Sequence, residues 1–294
     1  MGRLLEAMSA AGRRDLVWPL DPVFLPYFSA DARARMAAGQ PASHADVDEA
    51  MRQPGFREAV DAKMARLAPP RLAPPRSGAT DISHDELAAF VGREAGVVLE
   101  VGCNDGTDTV ELLARYPKAT VYCFECDPRP IAKWKARVTD PRATLYPIAL
   151  DETPGAKTFH QSGGSPPGQS HPDGWDMSGS LCAPTGHLTY SPWCRFDTKI
   201  AVDTMTLDEW AATTIPEGLV DLAWLDTQGA EMRIFRGGRA TLARTRWLKC
   251  ECHRTRMYDG APSESEIMDF LGAAWGCIGR FADDLLFENR NLRA

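Results

Sequence analysis

Residues 97–106, VVLEVGCNDG, join an apolar run to a Gly-x-x-x-Gly turn, and an amphipathic helix follows from about Thr107. A strand that ends in small residues and opens a helix lets the backbone approach a bound nucleotide, because the first amide groups of the helix point at the ligand. Two ligands suit this pattern, a dinucleotide and S-adenosyl-L-methionine. The dinucleotide fingerprint requires Gly-x-Gly-x-x-Gly, and Asn104 stands where its second glycine would let the backbone approach a pyrophosphate. S-Adenosyl-L-methionine has no pyrophosphate, so the segment favours this ligand.

A carboxylate at the end of the next predicted strand indicates where the ribose of the ligand lies. Glu125 ends the run VYCFE, about 20 residues after the turn, which is the spacing at which an acidic side chain binds ribose hydroxyls. Its pairing with Gly102 and Gly106 favours this role over that of a solvated carboxylate. We therefore predict that Glu125 binds the ribose and that Cys126 lies near the adenine.

Further along the chain, acidic and imidazole side chains end two apolar runs. Asp226 follows VDLAWL, with Glu231 in the helix after it, and Glu251 and His253 end LKCECH. Open α/β sheets bind ligands at the carboxyl ends of their strands, and a hydroxyl acceptor must lose a proton there. His253 is the first candidate for the base, because an imidazole titrates near neutral pH. Asp226 or Glu251 would orient it, bind acceptor hydroxyls or bind a divalent cation, and we assign no metal.

The elements that position these residues alternate between strand and helix from residue 81 onward, which predicts a doubly wound, mostly parallel sheet. The predicted strands are 97–101, 120–126, 144–150, 219–226, 247–252, 277–281 and 285–289. Capping boxes, in which Ser or Thr precedes an acidic residue by three positions, predict helix starts at Ser43, Ser83, Thr206 and Ser263. Only Ala-Asp-Asp separates the last two strands, which is too short for a crossover, so these strands must pair antiparallel.

Composition divides the chain into segments. Two Ala-Pro-Pro units within residues 67–80 favour extended backbone and predict a semi-rigid linker. Residues 1–66 are predicted to be a helical N-terminal extension that packs on the main domain, walls the substrate pocket or contacts a second copy of the chain. Residues 81–294 are predicted to form the ligand-binding domain. Within it, residues 160–200 are rich in Gly, Pro and Ser, carry aromatic residues and are predicted to form an irregular, lid-like insertion.

Bulk properties narrow the function classes. A formal net charge of -7 argues against general nucleic-acid binding, which depends on neutralising phosphates. No stretch approaches the about 20 apolar residues of a membrane helix, and no secretory signal is evident, so we expect a cytoplasmic protein. Cysteines that fall in apolar runs are expected to be buried, reduced thiols rather than zinc ligands. They are Cys123, Cys126, Cys250 and Cys252.

Seven motifs carry a resemblance to one known family: LEVGCNDGTDT, CFECDP, PIALDE, SGSL, VDTMTLDEW, LAWLDTQGAEMRIFRGG and LKCECHRTRMYDGAPSESEIMDFL. In their order and content they resemble the FkbM family of S-adenosyl-L-methionine-dependent methyltransferases, from about Val97 to Leu286. The resemblance implies a class I methyltransferase (Rossmann-like) fold and O-methylation, often of sugar hydroxyls on glycans or of secondary metabolites. The chain departs from the family's common Lys-Ile-Asp-Val-Glu-Gly motif, since Trp224 and Gln228 replace the Lys and the Glu.

We therefore predict an S-adenosyl-L-methionine-dependent O-methyltransferase that acts on a small molecule or a glycan. The predicted catalytic residues are His253, Asp226 and Glu251. The predicted cofactor contacts are Glu100, Gly102, Asn104, Asp105, Gly106, Glu125, Cys126, Ala149, Asp151, Ser180 and Asp226. Asp105 suits a helix cap equally well, and Ser180, with Ser178, resembles a serine motif of the family. Two alternatives stay open: an NAD(P)-dependent oxidoreductase or epimerase, and a non-catalytic cofactor-binding protein that acts through its N-terminal helices.

Overall fold

The structure, a computed structural model, describes residues 24–38, 43–56, 59, 76–78, 81–169, 171 and 174–292. Contacts between residues divide the chain into two compact units, Met1–Ala73 and Pro74–Ala294. The start of the predicted helical extension, residues 1–23, and most of the predicted linker, residues 67–75 and 79–80, lie outside the described residues.

The described part of the first unit is helical. A 3₁₀ turn, Leu25–Tyr27, precedes helices α1 (Ala30–Ala37) and α2 (His44–Met51). The predicted capping box is confirmed, because the hydroxyl of Ser43 accepts the N–H of Asp46 and the carboxylate of Asp46 accepts the N–H of Ser43. The ring of Phe56 packs edge-on against the neighbouring aromatic rings of Phe24, Tyr27 and Phe28. These rings form a small core that belongs to this unit.

The second unit is built on a sheet of eight strands. They are β1 (Arg76–Gly78), β2 (Val97–Val101), β3 (Thr120–Phe124), β4 (Ala143–Tyr146), β8 (Val220–Leu225), β9 (Thr245–Glu251), β10 (Trp275–Phe281) and β11 (Asp284–Asn289). Their order is β1-β10-β11-β9-β8-β2-β3-β4. Strand β2 pairs in parallel with β3 and β8, whereas β11 runs antiparallel to both of its neighbours. The predicted mostly parallel sheet with an antiparallel last strand is therefore confirmed.

The described part of the second unit also contains eight α-helices. They are α3 (His84–Val91), α4 (Thr107–Arg115), α5 (Pro128–Arg137), α6 (His187–Tyr190), α7 (Leu207–Thr214), α8 (Glu231–Gly237), α9 (Arg239–Ala243) and α10 (Glu264–Leu271). The capping boxes predicted at Ser83, Thr206 and Ser263 are present. None of the described helices combines the length and the apolar character needed to cross a membrane.

Strands β5 (Ala149–Leu150), β6 (Gly155–Gly164) and β7 (Cys194–Met205) form a second sheet in the order β5-β7-β6. The predicted strand 144–150 is thus two strands in different sheets, divided at Pro147, which has no N–H to donate to a ladder. The prediction of irregular structure over 160–200 is wrong at both ends, because β6 and β7 pair antiparallel up to Gly164 and Cys194. Only residues 165–193 remain as the insertion, which we call the lid.

The predicted linker also needs correction at its end. Residues 76–78 form β1, which pairs in parallel with β10 at the edge of the sheet. A three-residue edge strand carries no periodic apolar pattern, so composition alone describes this segment as linker.

Apolar side chains of the strands fill two clusters. Leu99, Val101 and Leu225 belong to the first, and Val98 and Leu222 belong to the second, so successive strand residues contribute to opposite faces. All eight cysteines are free thiols, and Cys123, Cys250 and Cys252 are buried as predicted, while Cys126 is half-buried. The sheet therefore carries an apolar cluster on each face, and the loops at its carboxyl edge extend from this core.

Candidate active site

A cleft of about 350 Å³ opens where β2, β3 and β8 end, in the size range of small-molecule sites. Most of the predicted cofactor contacts line it: Gly102, Asn104, Asp105, Glu125, Cys126, Ala149 and Asp226. The structure thus brings together residues from four separate segments of the sequence. The predicted crevice at the carboxyl ends of the strands is where these residues meet.

Gly102 lets the end of β2 approach the end of β8. Its φ is +84°, and a Cβ atom at this position would lie 1.8 Å from the backbone oxygen of Asp226. The N–H of Asp226 donates to the carbonyl of Val101 at 2.9 Å, which fixes the same junction from the other side. A side chain at position 102 would therefore push Asp226 out of the cleft.

Glu125 forms part of the cleft floor and is held by backbone donors. Its Oε1 accepts the N–H groups of Cys126 at 2.7 Å and Asp127 at 2.8 Å, and its Oε2 accepts the N–H of Asn104 at 3.1 Å. Burial nevertheless raises the pKa of Glu125 to about 7, because it outweighs these hydrogen bonds. The carboxylate therefore changes charge near neutral pH.

Asn104 connects the glycine turn to the lid. Its φ of +43° is uncommon for a residue other than glycine. The side-chain Nδ2 donates to the carbonyl of Asp176 at 3.0 Å, and the carboxylate of Asp176 pairs with Lys133 of α5 at 2.6 Å. Two ties thus hold this part of the lid beside the cleft.

Asp105 combines the two roles between which the sequence left a choice. It lines the cleft, and its Oδ1 accepts the N–H of Thr107 at 3.1 Å, at the start of α4, while its carboxylate pairs with Arg137. Gly106 does not line the cleft. A Cβ atom there would meet Trp134 and Val138 at 2.7 Å, so this glycine serves the packing of α4 against α5.

Three further predicted cofactor contacts lie outside the cleft, and each has a partner elsewhere. The carboxylate of Glu100 is buried on the side of the sheet that faces α4, where it accepts the hydroxyl of Thr109 at 2.6 Å. Both carboxylate oxygens of Asp151 are occupied by Arg233, at 2.6 and 2.7 Å. The hydroxyl of Ser180 donates to the carbonyl of Gln228 at 2.7 Å, so it links the lid to the loop that follows β8. None of the three lines the cleft.

An amide lies between two of the predicted catalytic carboxylates. Nε2 of Gln228 donates to Oδ1 of Asp226 and to Oε2 of Glu251, each at 2.8 Å. Its Oε1 accepts the hydroxyl of Tyr258, also at 2.8 Å. Asp226 lines the cleft, whereas Glu251 does not, and burial followed by the charge of Asp226 raises the pKa of Glu251. Asp226 is therefore the catalytic candidate that a ligand in the cleft can reach.

His253 lies outside the cleft, in a separate cavity of about 10 Å³ shared with Glu231 and Glu251. Its Nε2 pairs with Glu251 at 3.1 Å and its Nδ1 with Asp283 at 3.3 Å. Burial alone would lower the pKa of His253, but these two carboxylates raise it to about 9. The predicted base thus lies outside the cleft, with a pKa that favours the protonated imidazole, in contrast to the expectation drawn from an isolated imidazole.

Some residues of the site were missed by the sequence reasoning. Lid residues Asp176, Met177, Gly179 and Leu181 line the cleft, and so do Phe124, Ile148 and Phe159. Tyr258 supports Gln228 through its hydroxyl, although the sequence motif that contains it indicates no role for this residue. The sequence did contain a signal for Gln228. This residue replaces the Glu of the family motif and lies between Asp226 and Glu231, two candidates for a role at the carboxyl ends of the strands.

Comparisons with known proteins show which family the chain resembles. The profile of the Methyltransferase FkbM domain matches residues 100–279. A 2-O-methyltransferase, NoeI, of Sinorhizobium fredii (strain NBRC 101917 / NGR234) is 35% identical over 214 residues, which cover 71% of this chain and 86% of NoeI. The crystal structure of Methyltransferase FkbM from Methylobacillus flagellatus KT aligns with a TM-score of 0.41 at 13% identity, over 66% of this chain. The aligned part spans 44% of that Methylobacillus chain.

Proposed function

The chain belongs to the FkbM methyltransferase family, and we propose that it transfers a methyl group from S-adenosyl-L-methionine to a hydroxyl of a sugar, a glycan or a secondary metabolite. One observation carries the proposal: the Gly102 junction places the carboxylates of Glu125 and Asp226 in a single cleft. The name of the relative NoeI supports a hydroxyl oxygen as the methyl acceptor.

The donor set of the cleft suits this cofactor. Gly102 and Asn104 line the cleft and would hold the methionine portion. Glu125 retains an acceptor position for a ribose hydroxyl, since its two oxygens receive three N–H groups and offer about four lone-pair sites. Cys126 and Ala149 line the part of the cleft beyond Glu125 and would flank the adenine.

When bound, S-adenosyl-L-methionine supplies an electrophilic methyl group on a sulfonium, and transfer to a hydroxyl releases one proton. Asp226 accepts that proton in our proposal, because it lines the cleft and its Oδ1 is fixed by Gln228. Among the described residues, none hydrogen-bonds to Oδ2 of Asp226, which leaves this oxygen for the acceptor hydroxyl. A positioned base contributes about 10²–10⁴-fold to such a reaction.

The lid supplies the remaining wall, where the acceptor enters. Met177 lines the cleft and is 44% exposed, so an acceptor that enters beside it meets an apolar surface. Such a surface suits the C–H face of a sugar ring as well as a less polar metabolite. We propose a small molecule or glycan as the partner, and an N-terminal unit available for contact with a second copy.

The test is transfer of labelled methyl groups from S-adenosyl-L-methionine to a panel of methyl glycopyranosides, free oligosaccharides and hydroxylated aromatic compounds. We expect label in at least one sugar, and its position follows from the fragmentation of the product. Calorimetric titration with S-adenosylhomocysteine and with NAD runs in parallel. Binding of NAD without binding of S-adenosylhomocysteine would instead establish the oxidoreductase alternative. Cofactor binding without turnover on any acceptor would support the non-catalytic one.

A further inference from the structure

We propose that Gln228 is a positioning residue, whose side-chain amide bridges Asp226 and Glu251 and fixes the direction in which Asp226 faces the acceptor. The inference rests on the proposed function in that Asp226 is the group positioned. It assigns a role to a residue that lines the cleft and acts through Asp226.

The amide of Gln228 faces the two carboxyl groups with its NH₂ end, and its two hydrogens are donated to Oδ1 of Asp226 and to Oε2 of Glu251. Both amide protons are then used. The carbonyl oxygen consequently faces the hydroxyl of Tyr258, a side chain that is 1% exposed and also reaches the carbonyl of Ser178 at 2.9 Å.

The backbone of Gln228 is held as firmly as its side chain. Its φ is +55°, a conformation that residues other than glycine seldom adopt. Its carbonyl accepts the hydroxyl of Ser180 from the lid at 2.7 Å. Such conformations persist where the surroundings over-determine them, which is the case here, and they cluster at functional sites.

The bridge joins a carboxylate of the cleft to a carboxylate behind it. Without the amide, two carboxyl groups would face each other across the gap between β8 and β9 with no donor between them, and Asp226 would lose the donor that fixes its Oδ1. Several charged or polar groups face Glu251 from the surrounding elements: Asp226 and Gln228 after β8, Glu231 of α8, and His253 and Tyr258 after β9. Gln228 is the neutral member that donates to both carboxylates.

The experiment compares Gln228→Ala and Gln228→Glu with the wild-type protein, using the sugar acceptor that the panel identifies. We expect kcat to fall about 10-fold to 100-fold in both variants, as for other residues that orient a catalytic group, while KM for S-adenosyl-L-methionine stays within about twofold. Asn289→Ala is the matched stability control, since this buried amide donates to backbone carbonyls of Leu242 and Thr245 and takes no part in the cleft. It is expected to lower Tm and leave kcat unchanged.

A second readout needs neither cofactor nor acceptor. The protonation of Glu251 is followed by infrared titration of the free protein, with Glu251→Gln to assign its band. Loss of the amide is expected to raise the midpoint by about one pH unit in Gln228→Ala. A kcat within threefold of wild type, or an unmoved midpoint, would overturn the proposal. If no acceptor supports turnover while the midpoint moves as expected, the proposed function fails but the bridge is established.

Discussion

The two sides of the cleft are constructed differently. On the side of β2 and β3, backbone groups position the site. Gly102 allows the close approach of the backbone at Asp226, and three backbone N–H groups donate to the carboxylate of Glu125. On the side of β8 and β9, side chains hold side chains, with Gln228 between Asp226 and Glu251. The comparison teaches that one wall depends on backbone geometry, whereas the other depends on a hydrogen-bond network.

This difference has a physical cause in what each side must do. A cofactor shared by many reactions can be held by groups that every residue carries, provided that a glycine lets them approach. A proton acceptor must have one direction and one charge state, and only side chains with specific partners provide these. We therefore expect changes on the β8–β9 side to alter rate and changes on the β2–β3 side to alter binding.

The largest effect is expected from Asp226→Asn, which changes only the β8–β9 side of the cleft. It removes the proton acceptor but keeps the shape, so kcat should fall about 10²–10⁴-fold while the affinity for S-adenosylhomocysteine stays nearly constant. Steady-state methyl transfer and calorimetry measure the two quantities. Asp221→Asn, near the opposite end of the same strand, is the control and should retain kcat. Equal losses in both variants would mean that Asp226 acts only through the fold.

Gly102→Ala attacks the backbone-built side. The new Cβ would meet the backbone oxygen of Asp226 at 1.8 Å, so strands must separate, and we expect the free energy of unfolding to fall by about 3 kcal/mol with loss of cofactor binding. Gly92→Ala isolates the contribution of the close contact, since Gly92 has a similar φ of +88° but no atom within 4 Å of its Cβ position. Similar losses in denaturant unfolding of both variants would contradict a steric cause.

The same contrast explains what could be predicted from the sequence. The positions of Gly102 and Glu125 at the cleft could be predicted, because they depend on the end of a strand and on a fixed spacing and not on contacts with distant segments. Asp226 was found for the same reason. The sequence does not show that His253 lies outside the cleft, because its two carboxylate partners are Glu251 beside it and Asp283, which lies 30 residues along the chain. The contact between Gln228 and Tyr258 is tertiary, so the sequence marks Gln228 only as a departure from the family motif and does not mark its partner.

Glu125→Gln tests the β2–β3 side of the cleft through the pH dependence of cofactor binding. In the wild-type protein the pKa of Glu125 is about 7, and ribose hydroxyls bind best to the ionised carboxylate, so affinity for S-adenosylhomocysteine should rise from pH 6 to pH 8. The variant should lose this dependence and bind about 10-fold more weakly at pH 8. Calorimetric titrations across this range decide the matter, and a pH dependence that survives in the variant would assign the titration to another group.

The raised pKa also has a consequence for stability. Between about pH 4.5 and pH 7 the folded, cofactor-free protein retains a proton that the unfolded chain has released, so its free energy of unfolding should fall as pH rises through this window. Glu125→Gln should flatten this part of the stability profile, as measured by denaturant unfolding.

The smallest effect is expected from His253→Gln. The residue lies outside the cleft and its pKa is raised by Glu251 and Asp283, so kcat should change less than about threefold, although the variant removes a partner of Glu251 and should lower Tm slightly. Initial-rate measurements at neutral pH provide the test. A fall of 100-fold or more would restore His253 as the base and remove Asp226 from that role.

The hairpin of β6 and β7 has a consequence for how acceptor preference changes among related proteins. The lid, residues 165–193, begins after Gly164 of β6 and ends before Cys194 of β7. These two residues are paired in the antiparallel ladder, so the two ends of the lid lie next to each other. A segment closed at its base in this way can be exchanged or lengthened without displacing any strand of the large sheet. Grafting the corresponding segment of a relative, with the contacts to Asn104 and Tyr258 preserved, should carry substrate preference with it while the methyl-donor half remains as it is.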